Sequence, residues 1–162
     1  MITDIEYIFD LSDTITPDFK TASRISEWLH DNLSGLKDDN DKIIFNKVNY
    51  GFQEDNIKGF GKKPVCDVYI NDVEYNSEFE YTTPKSVHSI ILFYIKGANN
   101  NSYLKCCELH DYLIQEFLTN EEFRCLEGYV KDTEILNSEL MNQSINTKWG
   151  VMGALELSHI LY

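Results

Sequence analysis

The residues in this sequence best suited to chemistry are three carboxylates on strand-like segments. Asp67, Asp132 and Glu134 lie in such segments, and Lys131 adjoins Asp132. Carboxylates on neighbouring strands with a lysine nearby can hold a divalent cation and activate water against a phosphodiester. That chemistry needs an aspartate followed at strand spacing by Glu-x-Lys, and the sequence does not contain it. Lys131-Asp132-Thr133-Glu134 instead sets both carboxylates on one face of a strand, the pattern of a solvated sheet surface. The run Lys37-Asp38-Asp39-Asn40-Asp41 has oxygen ligands suited to calcium. It lacks the glycine at the sixth place and the glutamate at the twelfth that a calcium loop requires, so a charged turn is expected. Gly59 and Gly61 flank Phe60, but no Gly-Lys-Ser/Thr follows and no helix opens there, which excludes a phosphate loop.

Nucleophilic chemistry has no better footing. The sequence has no Gly-x-Ser-x-Gly, and His30, His88, His110 and His159 show no spacing that marks a general base. They are expected to be partly buried structural histidines. Cys66, Cys106, Cys107 and Cys125 form no Cys-x-x-Cys, and no histidine pair has zinc spacing. Adjacent Cys106 and Cys107 point to different sides of a helix, so free, reduced thiols are expected. The reading is therefore of no catalytic, cofactor-binding or metal residue, and of a protein that is not an enzyme.

Composition narrows the partners. In 162 residues, 27 acidic side chains face 14 basic ones, a net charge of −13. Binding to a nucleic-acid backbone needs clustered Lys and Arg, so no direct nucleic-acid contact is expected. The acidity serves solubility or fits a basic partner. The 43% hydrophobic content is enough for a real core in one domain, residues 1–162. The start, MITDIEYIFD, shows no basic leader, and no apolar run reaches the roughly 20 residues that span a bilayer. A cytoplasmic chain without membrane contact is expected.

The elements that would position these residues centre on 86–118. Val87, Ile91, Phe93 and Ile95 alternate with His88, Ile90, Leu92 and Tyr94, so both faces of this strand are apolar, as in the centre of a sheet. Residues 97–101 break it, Ser102 can cap, and Cys106, Leu109, Leu113 and Phe117 line a helix, with Tyr103, His110, Ile114 and Leu118 widening the stripe. Before this unit, 1–15 reads as a short helical extension. Thr16-Pro17-Asp18 opens a helix with Ala22, Ile25, Leu29 and Leu33 on one face, and Ser34-Gly35 closes it. Lys42 to Phe52 reads as a strand broken near Asn46, and Pro64 to Tyr75 as the next. After the unit, 119–126 restarts a short helix, Tyr129 to Asn137 reads as a strand and 138–147 as loop. Trp149, Val151, Leu155, Leu157 and Leu161 alternate along a closing strand. Aromatics in the connections, Phe60, Phe79 and Tyr81, are candidates for subunit contacts. The sum is an α+β domain, a mostly antiparallel sheet with helices packed on one face.

This layout resembles the tail terminator and tail-completion (head–tail joining) proteins of long-tailed phages. The features that carry the resemblance are the helix Ala22 to Leu33, the strand Ile43 to Tyr50, and the proline-led strand Pro64-Val65-Cys66-Asp67-Val68-Tyr69-Ile70. The central strand Ile90 to Ile95, the helix Tyr103 to Leu118 and the closing strand from Trp149-Gly150 to Tyr162 complete it. The resemblance implies a structural protein that forms a homo-oligomeric ring, a hexamer, on the tail tube and meets the head connector. It would reside in the cytoplasm during assembly and then in the virion. The alternative is an acidic cytoplasmic binding module, immunity- or antitoxin-like, with a basic protein partner.

Overall fold

The structure, a computed structural model, describes residues 17–51, 63–76, 83–97, 100–145 and 148–162. The expected extension at 1–15, the cap at Thr16, the glycines at 59 and 61, and Phe60, Phe79 and Tyr81 lie outside the described residues.

Helix α1 (Pro17–Ser34) buries Ile25, Leu29 and Leu33 completely, the stripe its spacing predicts. Each such side chain stabilises the fold by about 1.5–3 kcal/mol. The chain then turns. Lys37 bridges Ile43, and only Lys47–Tyr50 forms strand β1. The expected strand at 42–52 is thus shortened, because 37–43 is tied into its own turn. Strands β2 (Val65–Asn76) and β3 (Thr83–Lys96) follow, then helix α2 (Asn100–Thr119). Ser102 lies inside α2 and does not cap it; its hydroxyl donates to the Lys96 carbonyl at 3.0 Å. Short helix α3 (Glu121–Arg124) is capped by Asn120, whose side chain accepts from the Glu122 amide. Strands β4 (Asp132–Ile145) and β5 (Lys148–Ile160) complete the chain. The segment 138–147 is therefore not a loop: through Ile145 it is strand, paired in register with β5 down to Lys148.

The five strands lie in the order β1-β2-β3-β5-β4, with β1 parallel to β2 and every other pair antiparallel. Both helix stripes pack on one face of this α+β sheet. Ile25, Leu29 and Leu33 of α1 and Cys106, Leu113 and Phe117 of α2 share a core with Val68, Ile91, Phe93, Val151, Leu155 and Leu157. The stripe of α2 is narrower than expected, since Tyr103 and Leu118 are exposed. The opposite face has a small core of Leu92, Tyr94 and Met152, against which Tyr69, Ile90 and Ala154 pack. Strand β3 is therefore buried on both faces near its end. On the helix side its Phe93 ring occupies the space over Gly153, directly across the ladder; a Cβ there would lie 2.1 Å from the ring. No helix among the described residues is long and apolar enough to cross a membrane.

Candidate assembly surface and buried polar centres

Strand order keeps the three carboxylates apart. Asp67 is on β2 and Asp132 and Glu134 on β4, with β3 and β5 between them. Three strand spacings of about 4.8 Å alone put Asp67 about 14 Å from the β4 carboxylates, and the register sets it opposite Glu139, several residues further along the strand from Asp132 and Glu134. Asp132 is bound to Arg124 Nε at 2.6 Å and accepts from the Thr133 amide at 2.9 Å. The Arg124 hydrogen bond leads the causes that hold its carboxyl below the usual range. Glu134 is exposed, as expected of a solvated face. In the acidic turn, Asp38 accepts from the amides of Asn40 and Lys42, and Asp41 pairs with Lys37 at 3.4 Å, so the side chains close the turn on themselves. Among the described residues no group of three or more His, Cys, Asp or Glu is placed to hold a metal ion.

Asp67 is not on a solvated surface. It is fully buried on the face opposite the helices and accepts from Asn49 Nδ2 at 3.1 Å, its partner across the β1–β2 register. The Tyr94 phenol lies close enough for the same carboxylate to act on it. Burial, and then the Asp67 charge, push the Tyr94 phenol well above its ordinary value. A sequence signal existed: Asp67 alternates with Val65 and Tyr69, and an acid inside an apolar alternation is out of place on a water-facing strand.

A second polar centre lies at the other end of the sheet, on the helix face. Buried His159 of β5 is held between Ser89 on one neighbouring strand and Thr133 on the other. Ser89 Oγ lies 2.7 Å from Nε2, and Thr133 Oγ1 2.9 Å from Nδ1. Burial pushes its pKa down to about 3, so the ring is neutral and one nitrogen donates while the other accepts. The Ser–His–Thr line resembles a hydrolase relay only in composition. Ser89 has no exposed surface, so its oxygen cannot meet a substrate. His88 faces the opposite side, 2.6 Å from Asp72 Oδ1. His30 stacks on Tyr50 at 4.2 Å and bonds to the Val48 carbonyl, fastening α1 to β1. His110 is buried in α2, and burial lowers its pKa. All four cysteines are free; Cys66 and Cys106 are buried, and burial raises the Cys106 thiol to about 12.

Two surface features remain. An open cleft of about 470 Å³ lies between the 38–44 turn, Pro64, Ile95 and α2. Its rim alternates acids (Asp38, Asp39, Glu108) with lysines (Lys42, Lys63, Lys105). Large apolar side chains are exposed on both flanks of the domain. Tyr50 stands on the β1 side, and Tyr103, Leu104, Leu118 and Leu136 stand on α2 and β4. Compared with known proteins, the chain matches no protein-family model and no curated protein sequence.

Proposed function

We propose that this chain is a structural protein of a phage or prophage particle, resembling tail terminators that cap the tail tube as a ring and join it to the head. The reading rests on the resemblance in layout, and one observation supports it further: exposed apolar side chains stand on both edge strands, Tyr50 on β1 and Leu136 on β4, with Tyr103, Leu104 and Leu118 exposed on α2. A ring of identical subunits needs two different surfaces on each subunit, one for each neighbour. Tyr and Leu side chains in the middle of such contacts supply apolar burial at low entropic cost. In this reading residues 1–162 act as one ring-forming unit, a hexamer by resemblance, whose partners are the tail tube and the head connector. The chain works without a catalytic site or cofactor, in the cytoplasm during assembly and in the virion afterwards.

The test is sedimentation and negative-stain microscopy of the wild type and of the double variant Leu104→Asp, Leu118→Asp. Closed rings that the variant loses, with its thermal melt retained, are expected. A wild type that forms no ring at any concentration, alone or with tail tube protein, overturns the reading. The −13 charge favours a second reading, an acidic binding module for a basic protein. A tight one-to-one complex with a basic protein, lost at high salt, in place of rings would establish that one.

A further inference from the structure

Strand β4 is the long outer edge of the sheet. It runs 14 residues and pairs only with β5 among the described residues, whereas the opposite edge, β1, has 4. Sheet edges carry a row of unused N–H and C=O groups, and proteins blunt them with lysine, proline, bulges or short length. Strand β4 contains neither lysine nor proline. It has one bulge, between Ile135 and Asn137, and beyond it the nine residues 137–145 carry a single charge, Glu139. Leu136 is 48% exposed, and Asn137, Ser138 and Glu139 are exposed beside it.

We propose that β4 pairs antiparallel with β4 of a second copy of this chain across a two-fold axis, joining two sheets into one continuous sheet. Three observations select this occupant. A basic partner strand would be matched by an acidic edge, and past the bulge this edge is almost neutral in a chain of charge −13. Head-to-tail pairing of β4 with β1 would end after the 4 residues of β1, while a second β4 matches the whole length. A two-fold axis at position 141 sets 137 opposite 145, 138 opposite 144 and 139 opposite 143. Every residue past the bulge is then paired, and the two Glu139 do not face each other.

Nine residues span about 30 Å, and across a sheet about 10 Å thick the contact covers on the order of 300 Å² per copy, below the roughly 800 Å² of a standard interface. The dimer is therefore weak and concentration-dependent, and salt strengthens it by screening the repulsion of two acidic copies. Leu136 stands on this same edge, so a β4 paired with a second β4 is closed to a ring neighbour, and the pairing competes with the ring reading for that flank.

The test is sedimentation equilibrium of the full chain from about ten micromolar to about one millimolar, at low and high salt. Amide hydrogen exchange at both ends of that range accompanies it. The expected mass rises towards twice the 18.9 kDa of one chain, further at high salt. Alternate amides between 137 and 145, those pointing away from β5, should slow at least tenfold on concentration. In an antiparallel strand adjacent residues direct their N–H groups to opposite sides. Of Ser138→Pro and Glu139→Pro, one therefore breaks the β5 ladder and the other only the free edge. The variant that keeps the wild-type melt should remain a monomer. A mass fixed at one chain overturns the proposal, as does a larger assembly with unchanged β4 exchange. If both prolines unfold the chain, the exchange measurement alone decides.

Discussion

The two faces of the sheet bury polar groups in opposite ways. On the helix face, His159 sits among apolar neighbours as a neutral ring, with one hydroxyl for each nitrogen. On the face opposite the helices, Asp67 is buried as deeply, but it is an acid that accepts from the Asn49 amide, beside a described core of Leu92, Tyr94 and Met152. A neutral group needs only its hydrogen bonds, and two side chains satisfy it. A carboxylate must also recover its lost hydration, which demands several donors and a locally polar setting. The histidine centre thus lies in the larger described core and the acid beside the smaller one.

The largest effect that would break this comparison comes from adjacent positions on β5. Leu157 is fully buried on the helix face, and Glu156 is half-buried on the other. Leu157→Asp is expected to abolish cooperative melting, since an unpaired charge in that core costs a large part of the about 5–15 kcal/mol that holds a domain together. Glu156→Gln should melt near the wild type. Circular dichroism on both variants checks this, and equal melts would mean the two faces are equally tolerant.

Next in size is the pH dependence contributed by His159. Its folded pKa, about 3, lies below the ordinary 6.5, so between those values the unfolded chain binds a proton that the folded chain refuses. Its contribution is complete above pH 6.5 and falls as acid is added, by about 1.4 kcal/mol per unit, or about 2 kcal/mol by pH 5. Asp132, held low by Arg124, adds the same sign further down. Urea melts of the wild type and His159→Gln between pH 5 and 7.5 should show a shallower slope in the variant. Identical slopes would refute the neutral, buried ring.

The smallest effect sharpens the other half of the comparison. Asp67→Asn keeps an acceptor for Asn49 and should change stability by less than about 1 kcal/mol, whereas Asp67→Leu removes that acceptor and should cost about 1–2 kcal/mol. Denaturant midpoints of the two variants measure the gap. A Leu variant as stable as the Asn variant would show that the carboxylate does not organise that face.

Much of the scaffold was legible because its signals are local. Ser34-Gly35 closes α1 where it ends, and the alternation in 87–95 and 151–159 gave the burial of β3 and β5. The far half of β4 was not legible, because an edge strand over the rim of the core needs no apolar alternation, and 138–147 reads like a loop. The shortening of β1 depended on the Lys37–Ile43 bridge, a contact that pattern cannot reveal. The two polar centres escaped for a further reason. Ser89, Thr133 and His159 meet only once three strands are in register, and Asn49 and Asp67 only once β1 lies parallel to β2. Charge and exposure at Glu134 were read correctly from parity, and the same parity applied to Asp67 would have placed it among Val65 and Tyr69.

The absent side chain at Gly153 bears on the order in which the sheet is built. Strand β5 forms a hairpin with β4 through a two-residue connection, but its other neighbour, β3, is about sixty positions away in sequence for the pair Phe93 and Gly153. Contacts so distant close slowly, because the loop entropy is lost before any contact repays it. The hairpin can therefore form early and dock late. At docking, sliding by two residues would bring the Phe93 ring against Val151 or Leu155, where there is no vacancy to receive it. The space over Gly153 therefore suits the Phe93 ring in this register alone among its near neighbours on that face.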